Sequence, residues 1–288
     1  MPELPEVEVV KRSLTNKAQN SIIKAIKIND HRLRYKIDKN QIKKIAGLKI
    51  EKILRRSKFL LFFLGKKIIM LVHFGMTGKF FFIDKKKTKY KTSFYYSINE
   101  KDRKYDRVIF DLSKNQKLIY NDVRKFGFIK FLNQDQINEN LHLKKLGPEP
   151  LNREFNFDYF KRKIFGKNRV IKEILMDQTF VSGLGNIYAN EILFFSKIKP
   201  TKKTKYLSDK EIKKIIKFTK KILFKAIELG GSSIKDFSSS SGKKGLFQQH
   251  FSVYGKKGEN CSKKRCNNII NKIVIANRAT FYCPKCQK

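Results

Sequence analysis

The sequence predicts an α+β protein of several domains, and three observations support this fold class. Short β-branched and aromatic runs separated by polar turns fill residues 22–132, which is typical of an antiparallel β domain. Helical periodicity replaces that pattern in the second half of the chain. All four cysteines lie after position 260, in a short basic segment. With 288 residues, the chain can form two domains and a small appendage, each with its own core.

The chain opens with MPELPEVEVV, which predicts a helix. Pro5 suits a first helical position, and Glu6 and Glu8 suit the positive end of the helix dipole. An ordinary helix start gives no reason for Pro2 or Glu3. These two residues are therefore candidates for a functional role.

The strand-rich region contains the runs KFFFID, DRVIFDL, KLIYND and FGFIKFL, which indicate a β-sandwich or a barrel. Its most apolar stretch is KFLLFFLGKKIIMLVHF. Gly65, Lys66 and Lys67 interrupt that stretch, so it predicts two strands and a tight turn rather than a membrane span.

Residues 133–154 lose the strand pattern, and the prolines of LGPEPLN indicate a linker. A helix is predicted to start at Ser208, because Glu211 completes a capping box, and to stop at Gly230. Its apolar residues recur on one face, namely Ile212, Ile215, Ile216, Ile222, Leu223 and Ile227. Residues 232–249 form a Ser/Gly-rich loop of a length that is usually functional or disordered.

From residue 250 onward the chain holds nine Lys or Arg against one Glu. The cysteines follow the pattern C-x4-C and C-x2-C, with 16 residues between the pairs. This spacing predicts a tetrahedral zinc site, which can fold a segment too small to fold alone. The first gap is wider than the usual two residues, and four unrelated thiols are the alternative. The predicted ligands are Cys261, Cys266, Cys283 and Cys286.

The chain carries 66 Lys and Arg against 25 Asp and Glu, a formal charge of +41. An AT-rich genome explains part of the lysine excess but not the shortage of acids. So positive a field predicts a polyanionic partner, most commonly nucleic acid. A soluble basic protein or one that binds ribosomes is the alternative. Acidic residues stand where a secretory signal would be basic, and cysteines are few, so a cytoplasmic protein is expected.

Nine segments, in this order, resemble the formamidopyrimidine-DNA glycosylase family, bacterial base-excision enzymes for oxidised purines. They are MPELPEVE, RRSKFLL, HFGMTG, RKFGF, LGPEPL, GLGNIYANE, GGSSIKDF, VYGKKGE and NRATFYCPKCQK. The sister family, endonuclease VIII, usually has Gly where this chain has Leu4. The resemblance implies an N-terminal catalytic β-sandwich domain, a linker, a helix-two-turns-helix domain with a loop that covers the flipped base, and a zinc finger with one structural Zn²⁺. The expected ranges are 1–134, 135–151, 152–249 with the loop at 232–249, and 250–288.

The resemblance also gives Pro2 and Glu3 a chemical reason. Removal of Met1 would make Pro2 the N-terminus, and an α-amine has a pKa near ~8 against ~10.4 for Lys, so more of it is unprotonated. Attack by this secondary amine on the damaged sugar would give a cationic iminium, which labilises the neighbouring phosphates. Glu3 is implied as the acid/base, Glu6 as a base-pocket contact, and Lys58 as a catalytic group near the sugar-phosphate.

A base inside a duplex must be flipped out before it can be excised, and its place must be filled. By resemblance, Met76 enters the vacated space, Arg124 faces the orphaned base and Phe126 lies between neighbouring bases. Glycines beside these residues indicate turns from which side chains project.

The remaining implied contacts are with the DNA backbone and the minor groove. His73 is expected at the backbone, although a core histidine is the alternative. Gly183 and Gly185 predict a tight turn before a helix, where Asn186 would help to hold a phosphate. Lys167, and also Lys172, are candidate phosphate contacts, and a plain solvated charge is the alternative for each. Arg278, between the cysteine pairs, is expected to act as a catalytic residue from the minor groove.

The resemblance therefore implies a bifunctional DNA glycosylase and abasic-site lyase for 8-oxoguanine and formamidopyrimidines, which cuts the strand by β/δ elimination. The expected partner is double-stranded DNA with damaged bases, and the expected state is a bacterial cytoplasmic monomer without a membrane. An endonuclease VIII-like enzyme for oxidised pyrimidines is one alternative. A zinc protein that recognises lesions without cutting is the other.

Overall fold

The computed structural model describes residues 2–92, 100–231 and 247–288. These residues divide into two compact units, each formed from two stretches of chain. The first unit contains residues 1–144 and 229–248, and the second contains residues 145–228 and 249–288.

The first unit consists mainly of antiparallel strands and begins with a helix. Its helices are α1 Leu4–Ala18 and α2 Lys39–Lys44. Its strands are β1 Ile23–Ile28, β2 Ile50–Arg56, β3 Phe59–Leu64, β4 Ile68–His73, β5 Lys79–Ile83, β6 Lys89–Lys91, β7 Asp106–Leu112, β8 Gln116–Asn121 and β9 Phe128–Asn133.

These strands form two sheets that share one hydrophobic core. One sheet has the order β1-β7-β8-β5-β6 and the other the order β2-β3-β4-β9. Phe80 and Phe110 of the first sheet lie in the same buried cluster as Phe62 and Val72 of the second. The unit is therefore a β-sandwich, as predicted, and the barrel alternative is wrong.

The most apolar stretch forms the β3-β4 hairpin, which confirms the predicted pair of strands. Phe59 pairs with His73 at one end and Leu64 with Ile68 at the other. Lys66 and Lys67 both have positive φ, which fits a turn whose twist matches that of the flanking strands. Both faces of β3 are buried, because residues from 134–144 cover the face opposite the main core.

Helix α1 begins at Leu4, so Pro5 is at the second helical position rather than the first. Glu3 is the N-cap, and Glu3 and Glu6 form a reciprocal capping box. The sequence interpretation missed this structural role of Glu3, because it expected the helix to start one residue later. The buried face of the helix packs Val7 and Val10 into the sandwich core.

The second unit contains four helices and a two-stranded ribbon among the described residues. They are α3 Phe157–Ile164, α4 Ile171–Met176, α5 Asn186–Ser196, α6 Asp209–Glu228, β10 Asn271–Ile275 and β11 Arg278–Tyr282. The capping box predicted for α6 is present, because the backbone N–H of Ser208 donates to Glu211 at 2.9 Å and that of Glu211 donates back at 3.3 Å. Most of the predicted loop at 232–249 lies outside the described residues. Among the described helices, none is long and apolar enough to cross a membrane.

Candidate active site and DNA-binding surface

The start of α1 holds its acidic residues in fixed and buried positions. Glu3 is 3 % exposed and Glu6 is 2 % exposed. The backbone N–H of Glu3 donates to Glu6 Oε2 at 2.9 Å, while the Glu3 carboxylate accepts from the Glu6 backbone. Pro2 is also buried. The capping box therefore fixes the backbone at the residue that follows Pro2, and so holds Pro2 in place as well.

The chain returns to this point after α6. A Cβ on Gly231 would meet Glu6 Oε1 at 3.2 Å and Glu6 Cα at 3.4 Å. Gly231 also has a φ of +81°, which side-chain-bearing residues rarely adopt. Gly231, which precedes the Ser/Gly-rich loop, is thus packed against the candidate base-pocket residue.

Lys58 lies in the turn between β2 and β3 and is 7 % exposed. Arg55 braces this turn, because its Nε donates to Glu8 Oε2 at 2.9 Å and its Nη1 donates to the Ser57 carbonyl at 2.9 Å. Ser57 adopts positive φ. The ion pair ties the turn that carries Lys58 to helix α1, so Lys58 has a defined place in the sandwich.

His73 ends β4 opposite Phe59, and its ring stacks on Phe128 with the centroids 5.4 Å apart. Burial, followed by the positive charges of Lys58 and Arg34, lowers the pKa of His73 to about 4. The backbone N–H of Gly75 donates to its Nδ1 at 3.1 Å, which assigns the proton of the neutral ring to Nε2. His73 therefore offers an uncharged N–H donor.

Met76, Arg124 and Phe126 lie together and project outward. Met76 is 42 % exposed and Phe126 is 45 % exposed. The Arg124 guanidinium contacts Met76 Sδ at 3.2 Å and lies 4.5 Å from the Phe126 ring centroid. Large apolar side chains exposed beside an arginine have the composition of a wedge that enters a base stack.

The loop that carries two of these candidate wedge residues, residues 122–127, is fixed by close backbone contacts and is called the wedge loop below. Asp122 Oδ2 accepts the backbone N–H of Gly127 at 2.8 Å, and Thr77 Oγ1 accepts that of Arg124 at 3.0 Å. A Cβ on Gly75 would collide with the backbone of Phe126 and Gly127. Glycine at position 75 thus permits the approach that brings Met76 beside Arg124.

In the second unit, Gly185 caps α5 and Asn186 is its first residue, as predicted. Asn186 Nδ2 donates to the Ala279 carbonyl at 2.9 Å, so its side chain connects the helix to the ribbon. Lys172 is fully buried and its Nζ donates to Thr280 Oγ1 at 2.6 Å. The expected phosphate contact of Lys172 is therefore wrong, because its ammonium group is enclosed by the protein.

Lys167 and Arg278 are exposed residues of the second unit. Arg278 pairs with Ile275 at the end of the β10-β11 hairpin, next to the Ala276-Asn277 turn. A side chain at a hairpin tip can enter a groove of DNA, and Lys167 can meet a phosphate from solvent.

The four cysteine sulfurs lie within 4.8 Å of one another. Neighbouring sulfurs are 3.8 Å apart for Cys261 and Cys286, 3.7 Å for Cys266 and Cys283, and 3.5 Å for Cys266 and Cys286. Zinc with Zn–S bonds of about 2.3 Å needs sulfurs about 3.8 Å apart at the corners of a tetrahedron. The wide gap after Cys261 therefore does not disturb the cluster, and the donors fit zinc.

Family comparisons agree with this arrangement along the chain. Residues 1–129 match the formamidopyrimidine-DNA glycosylase N-terminal domain, residues 146–238 match the H2TH domain of the same family, and residues 264–288 match the zinc finger found in FPG and IleRS. The chain belongs to the formamidopyrimidine-DNA glycosylase family. It is a DNA glycosylase of base-excision repair with a zinc finger.

Whole-length relatives support this assignment. The chain is 36 % identical to a formamidopyrimidine-DNA glycosylase of Bradyrhizobium sp. and 38 % identical to one of Rickettsia bellii, with full coverage of both chains in each case. Among solved structures it is similar to a Lactococcus lactis FPG mutant in complex with DNA containing Fapy-dG, with 37 % identity, a TM-score of 0.85 and full coverage of both chains. A Lactococcus lactis Fpg complex with abasic-site DNA gives 37 % identity, a TM-score of 0.84 and 99 % coverage of each chain.

The zinc finger match of this glycosylase begins at residue 264, so Cys261 lies just outside it. The geometry nevertheless brings Cys261 to the other three sulfurs. The roles of the individual site residues and the domain boundaries inferred from the sequence remain predictions.

Sequence reasoning overlooked the residues that attach the zinc finger to α5. The Glu191 carboxylate accepts backbone N–H bonds from Ser252, Val253 and Tyr254 at 2.9–3.0 Å. Asn190 Oδ1 accepts the N–H of Phe281 at 2.7 Å. An acid and an amide inside an otherwise apolar, buried helix were the available signal, because buried polar groups need partners.

Proposed function

We propose that this glycosylase removes oxidised purines, including formamidopyrimidines and 8-oxoguanine, from duplex DNA and then cuts the strand through a Schiff base on Pro2. The observation that carries the proposal is the buried N-terminal segment, in which the capping box fixes Glu3 immediately after Pro2. The family assignment and the DNA complexes of the Lactococcus lactis relatives add support.

The chemistry follows from a secondary amine at the N-terminus. With Met1 removed, the Pro2 nitrogen attacks C1′, a C–N bond forms, and the glycosidic bond breaks as the base leaves with a proton. Glu3 supplies and recovers protons at the sugar, which opens its ring to give the iminium. The iminium withdraws electrons from C2′, so loss of a C2′ proton expels the 3′-phosphate, and a second elimination expels the 5′-phosphate. Water then hydrolyses the iminium and frees Pro2.

The other predicted residues hold the DNA during these steps. Lys58 stabilises negative charge at the sugar-phosphate, and the neutral His73 donates its Nε2 proton to a backbone oxygen. Met76, Arg124 and Phe126 fill the place of the extruded nucleotide, while Glu6 contacts the base. Lys167, Asn186 and Arg278 contribute from the second unit.

The assembly proposed is a cytoplasmic monomer with one zinc ion per chain. The ion would be held by all four cysteines and would order the ribbon that carries Arg278. Zinc supplies no step of the reaction in this scheme, since a site with four protein ligands leaves no open position for substrate.

The test is borohydride trapping on a duplex with 8-oxoguanine opposite cytosine. Wild type should form a covalent complex, while a form with extra residues before Pro2 should bind the duplex without being trapped. Glu3→Gln should excise 8-oxoguanine about 10²-fold more slowly yet still be trapped on a preformed abasic site. The matched control is Glu139→Gln, at an exposed glutamate of the same unit.

Undiminished trapping of the blocked form would exclude Pro2 as the nucleophile. A parallel duplex with an oxidised pyrimidine separates the proposed activity from that of an endonuclease VIII-like enzyme, which would prefer that substrate.

A further inference from the structure

The carboxylate of Asp30, which lies far from the wedge loop in the sequence, forms an ion pair with that loop. Asp30 follows β1, and its side chain is 11 % exposed. Its Oδ2 accepts from Lys125 Nζ at 2.5 Å and from Arg107 Nη1 at 3.4 Å. Its Oδ1 accepts from the backbone N–H and the Nε of Arg32 at 2.9 and 3.2 Å. One carboxylate thus joins three cations.

Arg107 extends this contact to the beginning of the loop. Its Nε donates to the Asp122 carbonyl at 2.9 Å, and its Nη2 reaches the Val123 carbonyl at 3.5 Å. The Arg107 side chain is 9 % exposed. Asp30 therefore contacts Lys125, in the middle of the loop, directly. It is connected to the first residues of the loop through Arg107.

Lys125 has a φ of +57°, a conformation that costs a residue with a Cβ about 1–2 kcal/mol. Such a conformation persists when the surroundings determine it. The ion pair turns Lys125 toward Asp30, while its two neighbours, Arg124 and Phe126, project as part of the wedge. The direction of Lys125 and the direction of the wedge are two results of one backbone conformation.

An acid at this place needs a reason in so basic a chain. Beside a DNA-binding surface, a carboxylate repels phosphates and lowers affinity for any duplex. The hydrogen bond from Lys125, followed by that from the Arg32 backbone, holds the pKa of Asp30 well below its usual value. The negative charge is therefore permanent under the conditions in which DNA is bound.

We propose that Asp30 is a positioning residue for the wedge, which it holds in its DNA-reading conformation through Lys125 and Arg107. This inference rests on the proposed function, because it takes Arg124 to be the residue that reads the base opposite the lesion. Asp30 itself touches no DNA in this scheme.

The experiment compares Asp30→Asn with the matched control Asp111→Asn. Asp111 lies on the same strand as Arg107 and pairs with the exposed Lys117 at 2.6 Å. Both variants remove one negative charge, so binding to undamaged duplex should stay equal or tighten slightly in both. Only Asp30→Asn should weaken binding to an abasic-site analogue opposite cytosine, by about five- to tenfold. It should also reduce the preference for cytosine over adenine opposite the analogue.

Lys125→Met and the double variant complete a mutant cycle. If Lys125 acts only through Asp30, the double variant should lose no more of the cytosine preference than Asp30→Asn alone, whereas Lys125→Met, which leaves the Arg107 contact in place, should lose less. Thermal unfolding identifies a merely destabilised protein, which would bind all duplexes less well without a change in preference.

An unchanged cytosine preference in Asp30→Asn would overturn the inference while the proposed function stands. A wild type that does not distinguish the abasic analogue from undamaged duplex would instead overturn the proposed function.

Discussion

At the scale of single residues, His73 shows how position changes chemistry. A histidine that faces solvent has a pKa near ~6.5 and is partly charged in the cell. His73 lies between Phe59 and Phe128 and close to the charge of Lys58, so its pKa falls to about 4. Its charge therefore cannot contribute to DNA binding at neutral pH, whereas its Nε2 donor can.

This shift predicts a pH dependence of stability. Between pH ~6.5 and pH 4 the unfolded chain binds a proton at this position and the folded chain does not, so stability falls as the pH falls. When the pH is lowered from 7.5 to 5, the free energy of unfolding in urea should fall by about 1–2 kcal/mol less in His73→Gln than in wild type. His31→Gln, in the same unit, is the matched control for replacing a histidine by glutamine. Equal losses in wild type and His73→Gln would show that the shift is absent.

The sequence drew attention to single residues either through a recognisable spacing, as for the four cysteines, or where a local pattern left a residue unexplained. Pro2 drew attention because a helix start does not need it. Asp30 and Arg107 carry no such signal, since 77 positions separate them and each looks like an ordinary surface charge. Only the pairing of β1 with β7 brings them together.

At the scale of elements, turns decide where side chains of the wedge point. The β3-β4 hairpin was predictable because two apolar runs flank a short polar break. The wedge loop was not, because its shape depends on Thr77 accepting the Arg124 backbone N–H and on Gly75 packing against Phe126, and these contacts join separate parts of the chain. The helix start was predicted with an error of one residue, because an N-cap glutamate is less common than Ser or Asp.

Two glycines of the first unit make this dependence measurable. Gly75 and Gly47 both have positive φ, but a Cβ would collide with the wedge loop only at Gly75, and nothing lies within 4 Å at Gly47. Each change to alanine should cost about 1–2 kcal/mol for the backbone conformation. Gly75→Ala should lose more stability than Gly47→Ala because of the added collision. It should also weaken binding to abasic-site duplex relative to undamaged duplex. Titrations with both duplexes check this, and equal effects of the two variants would contradict it.

At the scale of the whole molecule, the β-sandwich and the C-terminal ribbon differ in the size of their hydrophobic cores. The sandwich has an extensive apolar core drawn from both sheets and α1. The ribbon has only a small cluster around Phe281 and Cys283, which includes the cysteines, and the Glu191 carboxylate binds the backbone N–H groups of Ser252 and Val253. The sequence predicts this difference, because the cysteine-bearing segment after residue 250 is too short to fold alone without a metal site.

Removal of one zinc ligand should therefore separate the two parts. Cys261→Ser should release the metal and unfold the ribbon, and DNA binding and excision should collapse with it. The sandwich should retain its cooperative unfolding transition. Metal analysis of the purified protein and of the variant checks the first statement, and circular dichroism checks the last. A wild type without zinc that is fully active after chelation would refute the metal site.

The turns with positive φ have a consequence for how this chain meets a polyanion. Six of the twelve non-glycine residues with positive φ in the described ranges are lysines, Lys125 and the hairpin residues Lys66 and Lys67 among them. Glycine would relieve the strain at each of these positions but would remove a cation. A lysine there has a backbone that is already ordered before any phosphate arrives, so binding needs to restrict only the side chain. Part of the surplus charge thus lies on turns whose backbone is ordered in the free protein, so less entropy is lost on association.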